Sequence, residues 1–245
     1  MFLKEWNDLP ESMKVENVRK YYDALYKVRY KLFVKRIFDI VSALFIAIIF
    51  LPLISVISVA IKIDSAGPVF FRQTRVTQYG KHFRIYKFRT MVNDAEKIGT
   101  QVTIHNDYRV TKIGKILRKF RLDEIPQVFN IIIGDMSFVG TRPEVPRYVE
   151  RYTDLMMATL FLPAGLTSEA SIKYKDEEKI LENVESADNT YIELILPKKM
   201  ELNLKGIEEF SLLNEFTLLV QTAFAVFNRG KSSDNNNYNN RLKGI

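Results

Sequence analysis

Residues 40 to 61 form an apolar run without a charge, IVSALFIAIIFLPLISVISVAI, bounded by Asp39 and Lys62. A helix rises about 1.5 Å per residue, so a run of this length reaches across a hydrocarbon core of roughly 30 Å. The run therefore predicts a membrane segment. It does not match a secretory signal peptide, because a polar and partly acidic stretch precedes it and no small-residue cleavage site is evident.

Pro52 lies in the middle of this run. Proline has no N–H and clashes with the carbonyl four residues earlier, here that of Ile48, so a kink is expected. Ser55 and Ser58 are candidates to bond the backbone groups that the kink frees. Basic residues flank the run on both sides, and positive charge favours the cytoplasmic face. We therefore expect a re-entrant helix over residues 36–62, broken at Pro52, with both ends cytoplasmic; an ordinary kinked spanning helix is the alternative.

An amphipathic pattern precedes the apolar run, within an N-terminal extension that we assign to residues 1–35. Apolar side chains recur there at helical spacing among many charges: Val15, Val18, Tyr22, Leu25 and Val28. This spacing predicts a helix over about residues 12–32. The helix either lies at the membrane surface or packs on the soluble domain, and the sequence leaves both open.

Residues 63–230 are expected to form a small, mainly helical α+β domain on the cytoplasmic side. Alternating aromatic and basic residues around Tyr79-Gly80 predict a β-hairpin over residues 67–91. Helices are expected near residues 91–99, 112–120 and 124–133, the last ended by Gly134.

The C-terminal part of the sequence is less regular. Between residues 162 and 196 the chain is mixed and acidic, with breaks at Pro163, Gly165 and Pro197. Polar residues on one stripe of an otherwise apolar stretch predict a C-terminal amphipathic helix over residues 210–228. The Asn-rich residues 231–245 are expected to be a disordered tail.

Composition limits the possible partners and cofactors. Lys and Arg outnumber Asp and Glu by 36 to 29, a formal charge of +7 that suits phospholipid, nucleotide, polyphosphate or nucleic acid. The absence of cysteine excludes disulfides, thiolate chemistry and Cys-ligated metals, and two histidines are too few for a His-rich metal site. A hard, oxygen-liganded cation remains compatible with this sequence.

Asp123 and Glu124 are adjacent carboxylates between a basic run and an apolar run. Asp123 could simply cap the following helix, with Pro126 tolerated in the first turn. However, Arg118 precedes the pair, and a turn at Gly134 would bring Arg142 back towards it. Arginine binds phosphate oxygens bidentately, and a carboxylate pair can hold a divalent cation. These residues therefore predict a diphosphate site.

Several motifs resemble, in order and spacing, the bacterial sugar transferases that act as monotopic polyprenyl-phosphate phosphoglycosyltransferases. The matching stretches are KRIFDIVSALF, GPVFFRQTR, GKHFRIYKFRTM, LDEIPQVFNIIIGDMSFVG and TRPE, and they cover roughly residues 35–170. The usual residues differ at Leu51, Thr77 and Thr141, and none of these changes removes a charge. The resemblance implies a proline-broken re-entrant helix and a catalytic domain on the cytoplasmic face of the bacterial inner membrane.

The resemblance also implies a reaction and its residues. A sugar 1-phosphate passes from a nucleoside diphosphate sugar, taken as a UDP-sugar, to polyprenyl (undecaprenyl) phosphate, with Mg²⁺ as cofactor. Asp123 is implied as the nucleophile and Glu124 as the Mg²⁺ ligand. The implied phosphate-binding residues are Arg118 and Arg142, with Lys87 and Arg89 as weaker candidates.

Other functions and partners are weighed against this reaction. A membrane-bound nucleotide-sugar hydrolase and a non-catalytic membrane-surface scaffold are the alternatives. The Lys and Arg residues favour anionic membrane lipid, at about 1 kcal/mol each near the surface. Nucleic acid is disfavoured, because the aromatic and basic stretch adjoins the membrane segment and the acid pair would repel phosphodiesters. A homo-oligomer is left open.

Overall fold

The computed structural model describes residues 3–95, 107–175, 177–181, 184 and 186–228. The helices are α1 Glu16–Lys27, α2 Arg29–Asp64, α3 Lys112–Lys119, α4 Gln127–Ile133, α5 Pro146–Val149, α6 Glu169–Lys173, α7 Glu177–Ile180, α8 Ala187–Thr190, α9 Leu196–Glu208 and α10 Leu212–Asn228. The strands are β1 Phe70–Val76, β2 His82–Phe88, β3 Met136–Val139 and β4 Ala164–Thr167. The fold is therefore mostly helical with two small sheets, as the α+β prediction states.

The β-hairpin predicted over residues 67–91 is confirmed. Strands β1 and β2 pair antiparallel, with Phe70 opposite Phe88 and Val76 opposite His82. Tyr79 and Gly80 both have positive φ, 58° and 75°, in the connecting turn. Side chains alternate along these strands, so the buried Phe83 and Ile85 lie on one face of the hairpin, and the buried Phe88 lies on the other face in a separate cluster with Leu117.

The helix predicted near residues 91–99 is wrong where the structure describes it. Met91 pairs with Val110 in an isolated antiparallel bridge, and the Val92 N–H donates to the Arg109 carbonyl at 2.9 Å. This pairing between two segments of the chain uses backbone groups that a helix would need for its own hydrogen bonds. The remainder of that predicted helix, and the predicted tail over residues 231–245, lie outside the described residues.

Helix α2 contains the whole apolar run, begins at Arg29 rather than at residue 36, and continues through Pro52, so the expected break of the helix at Pro52 is not what the structure shows. It is the one helix of the described chain that is long and apolar enough to cross a membrane, and only 17% of its most apolar window is buried. A core helix of a soluble protein would be mostly buried. The outer face of α2 is therefore exposed and apolar.

One face of α2 packs on the domain from end to end. Its buried residues recur at helical spacing: Leu32, Lys35, Asp39, Ala43, Ile54, Ile57 and Ile61. Ala43 packs in a cluster with Phe83 of β2, whereas Ile57 packs in another cluster with Leu117 of α3. Both halves of α2 thus contact the same domain.

Ser55 and Ser58 of α2 do not take the role expected of them. Ser55 Oγ donates to the Leu51 carbonyl at 3.0 Å, and Ser58 Oγ donates to the Ile54 carbonyl at 2.6 Å. Each hydroxyl donates to the carbonyl four residues before its own serine. Neither serine therefore reaches the Ile48 carbonyl, which Pro52 leaves without its usual N–H donor.

The apolar face of α1 is buried against the domain. Val18 and Leu25 are fully buried in a cluster with Phe161 and Leu204. Of the two positions that the sequence left open for this helix, the structure therefore shows the packed one.

Helix α10 packs both polar and apolar residues on the domain, since Leu218 and Leu219 contact the cluster that contains Phe83. Glu215 forms an ion pair with Lys35 of α2, and Thr222 Oγ1 lies 2.8 Å from Thr167 Oγ1 of β4. Its exposed apolar side chains are Leu213, Phe216, Val220 and Phe224. The predicted C-terminal amphipathic helix is thus present, with its polar stripe partly facing protein.

The parallel pair β3–β4 was not predicted from the sequence. Gly140 directly follows β3, Gly165 lies in β4, and the backbones of these two glycines approach very closely. A Cβ added at Gly165 would lie only 2.2 Å from the backbone N and O of Gly140. Only two residues without side chains allow this approach. Gly165, expected as a break, is therefore a packing position.

We expect Gly165→Ala to destabilise the fold by about 3 kcal/mol or more, because the added methyl group overlaps backbone that has no room to move. Gly206→Ala in α9 is the matched control: its Cβ meets no atom within 4 Å, so it should stabilise the helix by up to about 1 kcal/mol. Thermal unfolding midpoints in detergent measure both. Equal midpoints for the two variants would contradict the close approach of these backbones.

Candidate active site

The acid pair lies on a short 3₁₀ turn, Leu122–Glu124, between α3 and α4. Arg121 precedes the turn in the left-handed region, at φ 56° and ψ 21°, which is uncommon for a residue with a side chain. Asp123 does not cap α4, because Pro126 occupies the N-cap position and no side-chain bond caps either element. The alternative interpretation, in which Asp123 caps the following helix, is therefore wrong.

Glu124 is the centre of a cluster of cations. Both Nη atoms of Arg142 donate to its carboxylate, the longer bond being 3.4 Å. Lys87 Nζ lies 3.3 Å and Arg121 Nη1 lies 3.4 Å from Glu124 Oε1. Burial would raise the pKa of Glu124, but Arg142, Lys87 and Arg121 hold that pKa well below its ordinary value. Glu124 is therefore ionised and fixed in place.

Asp123 has a different environment from its neighbour. It is only 8% exposed, and its Oδ1 has no hydrogen-bond partner among the described residues. Burial and the charge of Glu124 raise the pKa of Asp123, while Lys87, Arg121 and Arg118 oppose that rise. A carboxylate of this kind is more basic than a solvated one and keeps a free oxygen, which are the properties of a nucleophile.

Lys87 reaches the site from β2. Burial lowers the pKa of Lys87 to about 8, although the charge of Glu124 opposes this shift. Arg142 contributes to the lowering of this pKa, because its positive charge disfavours a second charged group nearby. Lys87 is therefore a cation held close to other cations, ready to be stabilised by an added anion.

Arg118 acts on the acid pair, whereas Arg89 is bonded to the end of α2. Arg118 Nε donates to Thr90 Oγ1 at 3.0 Å, and its charge acts on Asp123. Arg89 instead donates to the carbonyls of Ser65 and Ala66, at 2.6 and 2.9 Å, and ties β2 to the end of α2. The phosphate role of Arg89 stays a prediction that these contacts do not support.

Two further arginines belong to the cluster and were not singled out from the sequence. Arg121 forms an ion pair with Glu124, and its position just before the acid pair in the sequence could have identified it. Arg75 of β1 donates to the Pro143 carbonyl at 3.1 Å, and its charge acts on both Lys87 and Arg142. No local pattern distinguishes Arg75 from the other basic residues of the hairpin.

The acid pair can be tested as a place for a divalent cation. Within the described residues no group of three or more His, Cys, Asp or Glu side chains could hold a metal. Mg²⁺, however, is usually bound through one or two carboxylates together with substrate phosphates and water. The free Oδ1 of Asp123 beside the ionised Glu124 fits a site of that kind.

A cavity of about 430 Å³ lies elsewhere, between α6, α9 and α10. Thr141, whose neighbour Arg142 bonds Glu124, is among its lining residues, whereas Asp123 and Glu124 are not. The acid-pair site is therefore separate from this cavity.

The family model described as bacterial sugar transferase matches residues 30–229. The chain belongs to the bacterial sugar transferase family. The match contains α2 except its first residue, the acid pair and every cation of the cluster, so the candidate site of this sugar transferase lies within the family region.

Curated relatives include three with related names. A UDP-N-acetylgalactosamine-undecaprenyl-phosphate N-acetylgalactosaminephosphotransferase of Aeromonas hydrophila is 46% identical over 49% of the chain. A UDP-glucose:undecaprenyl-phosphate glucose-1-phosphate transferase of Escherichia coli K12 is 37% identical over 79%. A putative undecaprenyl-phosphate N-acetylgalactosaminyl 1-phosphate transferase of Bacillus subtilis is 45% identical over 49%. The matches span 28%, 40% and 66% of these relatives' own lengths.

Proposed function

We propose that this chain transfers a sugar 1-phosphate from a UDP-sugar to polyprenyl phosphate at the cytoplasmic face of the bacterial inner membrane. The observation that carries the proposal is a buried carboxylate with a free oxygen inside a cluster of cations. The names of the three relatives, each an undecaprenyl-phosphate phosphotransferase, support the same reaction. This reaction would be the first membrane step in assembling a glycan.

The charge of the site suits a diphosphate. The two carboxylates face Lys87, Arg118, Arg121 and Arg142, and Arg75 adds a further positive charge next to Lys87. The excess positive charge attracts the donor diphosphate and offsets the negative charge that gathers when a carboxylate approaches phosphorus. Arginine also matches the geometry of phosphate oxygens.

In the first step, an oxygen of Asp123 attacks the phosphorus that bears the sugar. A new carboxyl oxygen–phosphorus bond forms, the bond from that phosphorus to the bridging oxygen breaks, and its electron pair leaves with UMP. The product is a phosphosugar ester of Asp123. Arg142 and Lys87 would bind the phosphate oxygens throughout this step, since they already hold anionic oxygen in the structure.

In the second step, a phosphate oxygen of polyprenyl phosphate attacks the same phosphorus. The bond to Asp123 breaks and its carboxylate is regenerated, leaving a polyprenyl diphosphate sugar. Mg²⁺, held by Glu124 beside Asp123, would supply further neutralisation of the phosphate charge when bound.

The arrangement of α2 supports the re-entrant topology. Its packed stripe faces the domain in both halves, while Pro52 lies nine residues after Ala43, about 180° around the helix. A proline on the outer face would favour a bend of the helix towards the opposite face, which here is the face that packs on the domain. Both ends of α2 then lie on the cytoplasmic side, where the acid pair meets the soluble donor and the membrane-held acceptor. Anionic lipid would bind the basic surface.

Cysteine labelling tests this topology, because the natural chain has no cysteine. Glu11 and Glu150 are exposed and lie on opposite sequence sides of α2. In sealed vesicles, Glu11→Cys and Glu150→Cys should both react with a membrane-impermeant maleimide from the cytoplasmic side only. Labelling from opposite sides would establish a spanning helix, and labelling after detergent addition is the control for reactivity.

The activity is tested with purified protein, undecaprenyl phosphate, Mg²⁺ and a panel of UDP-sugars. We expect UMP and a lipid-linked sugar phosphate to appear together, and both to disappear when EDTA removes the metal. UMP release that is equal with and without undecaprenyl phosphate would establish the hydrolase alternative. If no UDP-sugar yields UMP, the transferase proposal is wrong and the scaffold alternative remains.

A further inference from the structure

Four ionisable side chains form a second, buried network beside Arg142. Lys199 Nζ donates to Glu177 Oε2 and to the Tyr191 hydroxyl oxygen, both at 3.0 Å. The Tyr191 hydroxyl donates to Glu144, and Lys199 Nζ lies 3.8 Å from the same carboxylate. Lys199 therefore bridges two carboxylates that come from distant parts of the chain.

Three members of the network are buried, and the fourth, Glu177, is 30% exposed. Lys199 is 3%, Glu144 6% and Tyr191 4% exposed. Tyr191 lies in a π-helical turn, Tyr191–Ile195, that joins α8 to α9 directly before Pro197. Such turns are rare and often mark functional positions. Pro197, expected as a break, thus lies in the first turn of α9, two residues before Lys199.

The network adjoins the diphosphate site through the TRPE motif. Glu144 is two residues after Arg142, and the Val76 N–H donates to the Glu144 carbonyl at 3.0 Å, which fixes this backbone to β1. The charge of Glu124 raises the pKa of Arg142 most, and Glu177 and Glu144 raise it further. Three carboxylates therefore act on one guanidinium, although only Glu124 is bonded to it.

We propose that Lys199 is a positioning residue for the diphosphate site, which keeps Glu144 and Glu177 away from Arg142 so that this arginine faces Glu124 and the substrate. The inference rests on the proposed function, since it concerns the same site. It assigns a role to the C-terminal segment, residues 177 to 199.

The physical reason is the cost of a buried, unbalanced charge. Without Lys199, the buried Glu144 and the partly exposed Glu177 both lose the cation that pairs with them. Arg142 already feels the charge of both, so they would draw it away from Glu124 and compete with the donor phosphates. Removing one carboxylate at the same time should restore the balance.

Kinetics with the UDP-sugar donor test this role. Lys199→Met should raise the donor KM by at least about fivefold. Glu177→Gln alone should lower the donor KM, since it removes negative charge near the phosphates. The double variant Glu177→Gln, Lys199→Met should recover most of the lost affinity. Lys205→Met is the matched control on the same helix: its side chain is 60% exposed, so its KM should match the natural protein.

Each result either supports the role or overturns it. A Lys199→Met protein that melts earlier but keeps the natural KM and kcat would show a purely structural lysine. A folded double variant without recovery would also refute the charge-balance account. If Lys199→Met does not fold, an unchanged KM in Glu177→Gln, which alters a side chain that is 30% exposed, overturns the proposal. A natural protein that releases no UMP would instead remove the transferase proposal and, with it, this inference.

Discussion

Replacing Asp123 with Asn is expected to reduce product formation by at least about 10⁴-fold, because an amide cannot form the phosphosugar ester. The natural protein incubated with a UDP-sugar labelled in the β-phosphate should carry label after denaturation, and Asp123→Asn should carry none. Asp154→Asn is the matched control, since Asp154 is an exposed aspartate outside the cluster. Product formation by Asp123→Asn at the natural rate would refute the covalent scheme.

The same substitution should not destabilise the protein. Burial and the charge of Glu124 raise the pKa of Asp123 in the folded state. An acid whose pKa is raised on folding costs stability once the pH exceeds its unfolded pKa of about 4, so the cost is present at neutral pH. Asparagine removes this cost, and the unfolding midpoint at pH 7 should stay the same or rise. A scaffold whose acid pair only stabilises a helix would lose stability instead.

Local sequence patterns predicted the parts of the fold that depend on neighbouring residues. The hairpin around Tyr79 and the helix α3 follow from alternation and helical spacing within short windows. The acid pair was recognised because Asp123 and Glu124 are adjacent in sequence. Arg142 was placed beside them by assuming that the turn at Gly134 reverses the chain, and the contact with Glu124 agrees with that assumption.

Other features depend on contacts that no local pattern encodes. Lys199 meets Glu144 across 55 residues, and Gly165 meets Gly140 across a parallel crossover. Amphipathic spacing in α1 showed that one face is apolar but not what covers it. The predicted helix after Met91 was wrong because pairing with Val110 overrides a local preference. The features that the sequence did not predict are therefore those that depend on contacts between residues far apart in the chain.

Arg142→Met is expected to lower kcat/KM by about 10³-fold, since it removes the only described guanidinium that contacts both oxygens of Glu124. It also leaves Glu124 buried with Lys87 and Arg121 alone, so the free energy of unfolding should fall by about 3 kcal/mol. Steady-state kinetics and thermal unfolding measure the two effects separately.

Arg142→Lys separates charge from geometry at this position. It keeps the positive charge beside Glu124 but loses the planar fork that binds two oxygens at once, so it should recover the stability and only part of the rate. Arg147→Met, which alters an arginine that is 52% exposed and pairs with Asp188, is the control for a lost surface ion pair. If Arg142→Lys matches the natural kcat/KM, charge alone suffices there. Phosphate binding at position 142 would then need no bidentate contact. Lys87, whose Nζ lies 3.3 Å from Glu124, would then be expected to bind phosphate as well as the residue at position 142 does.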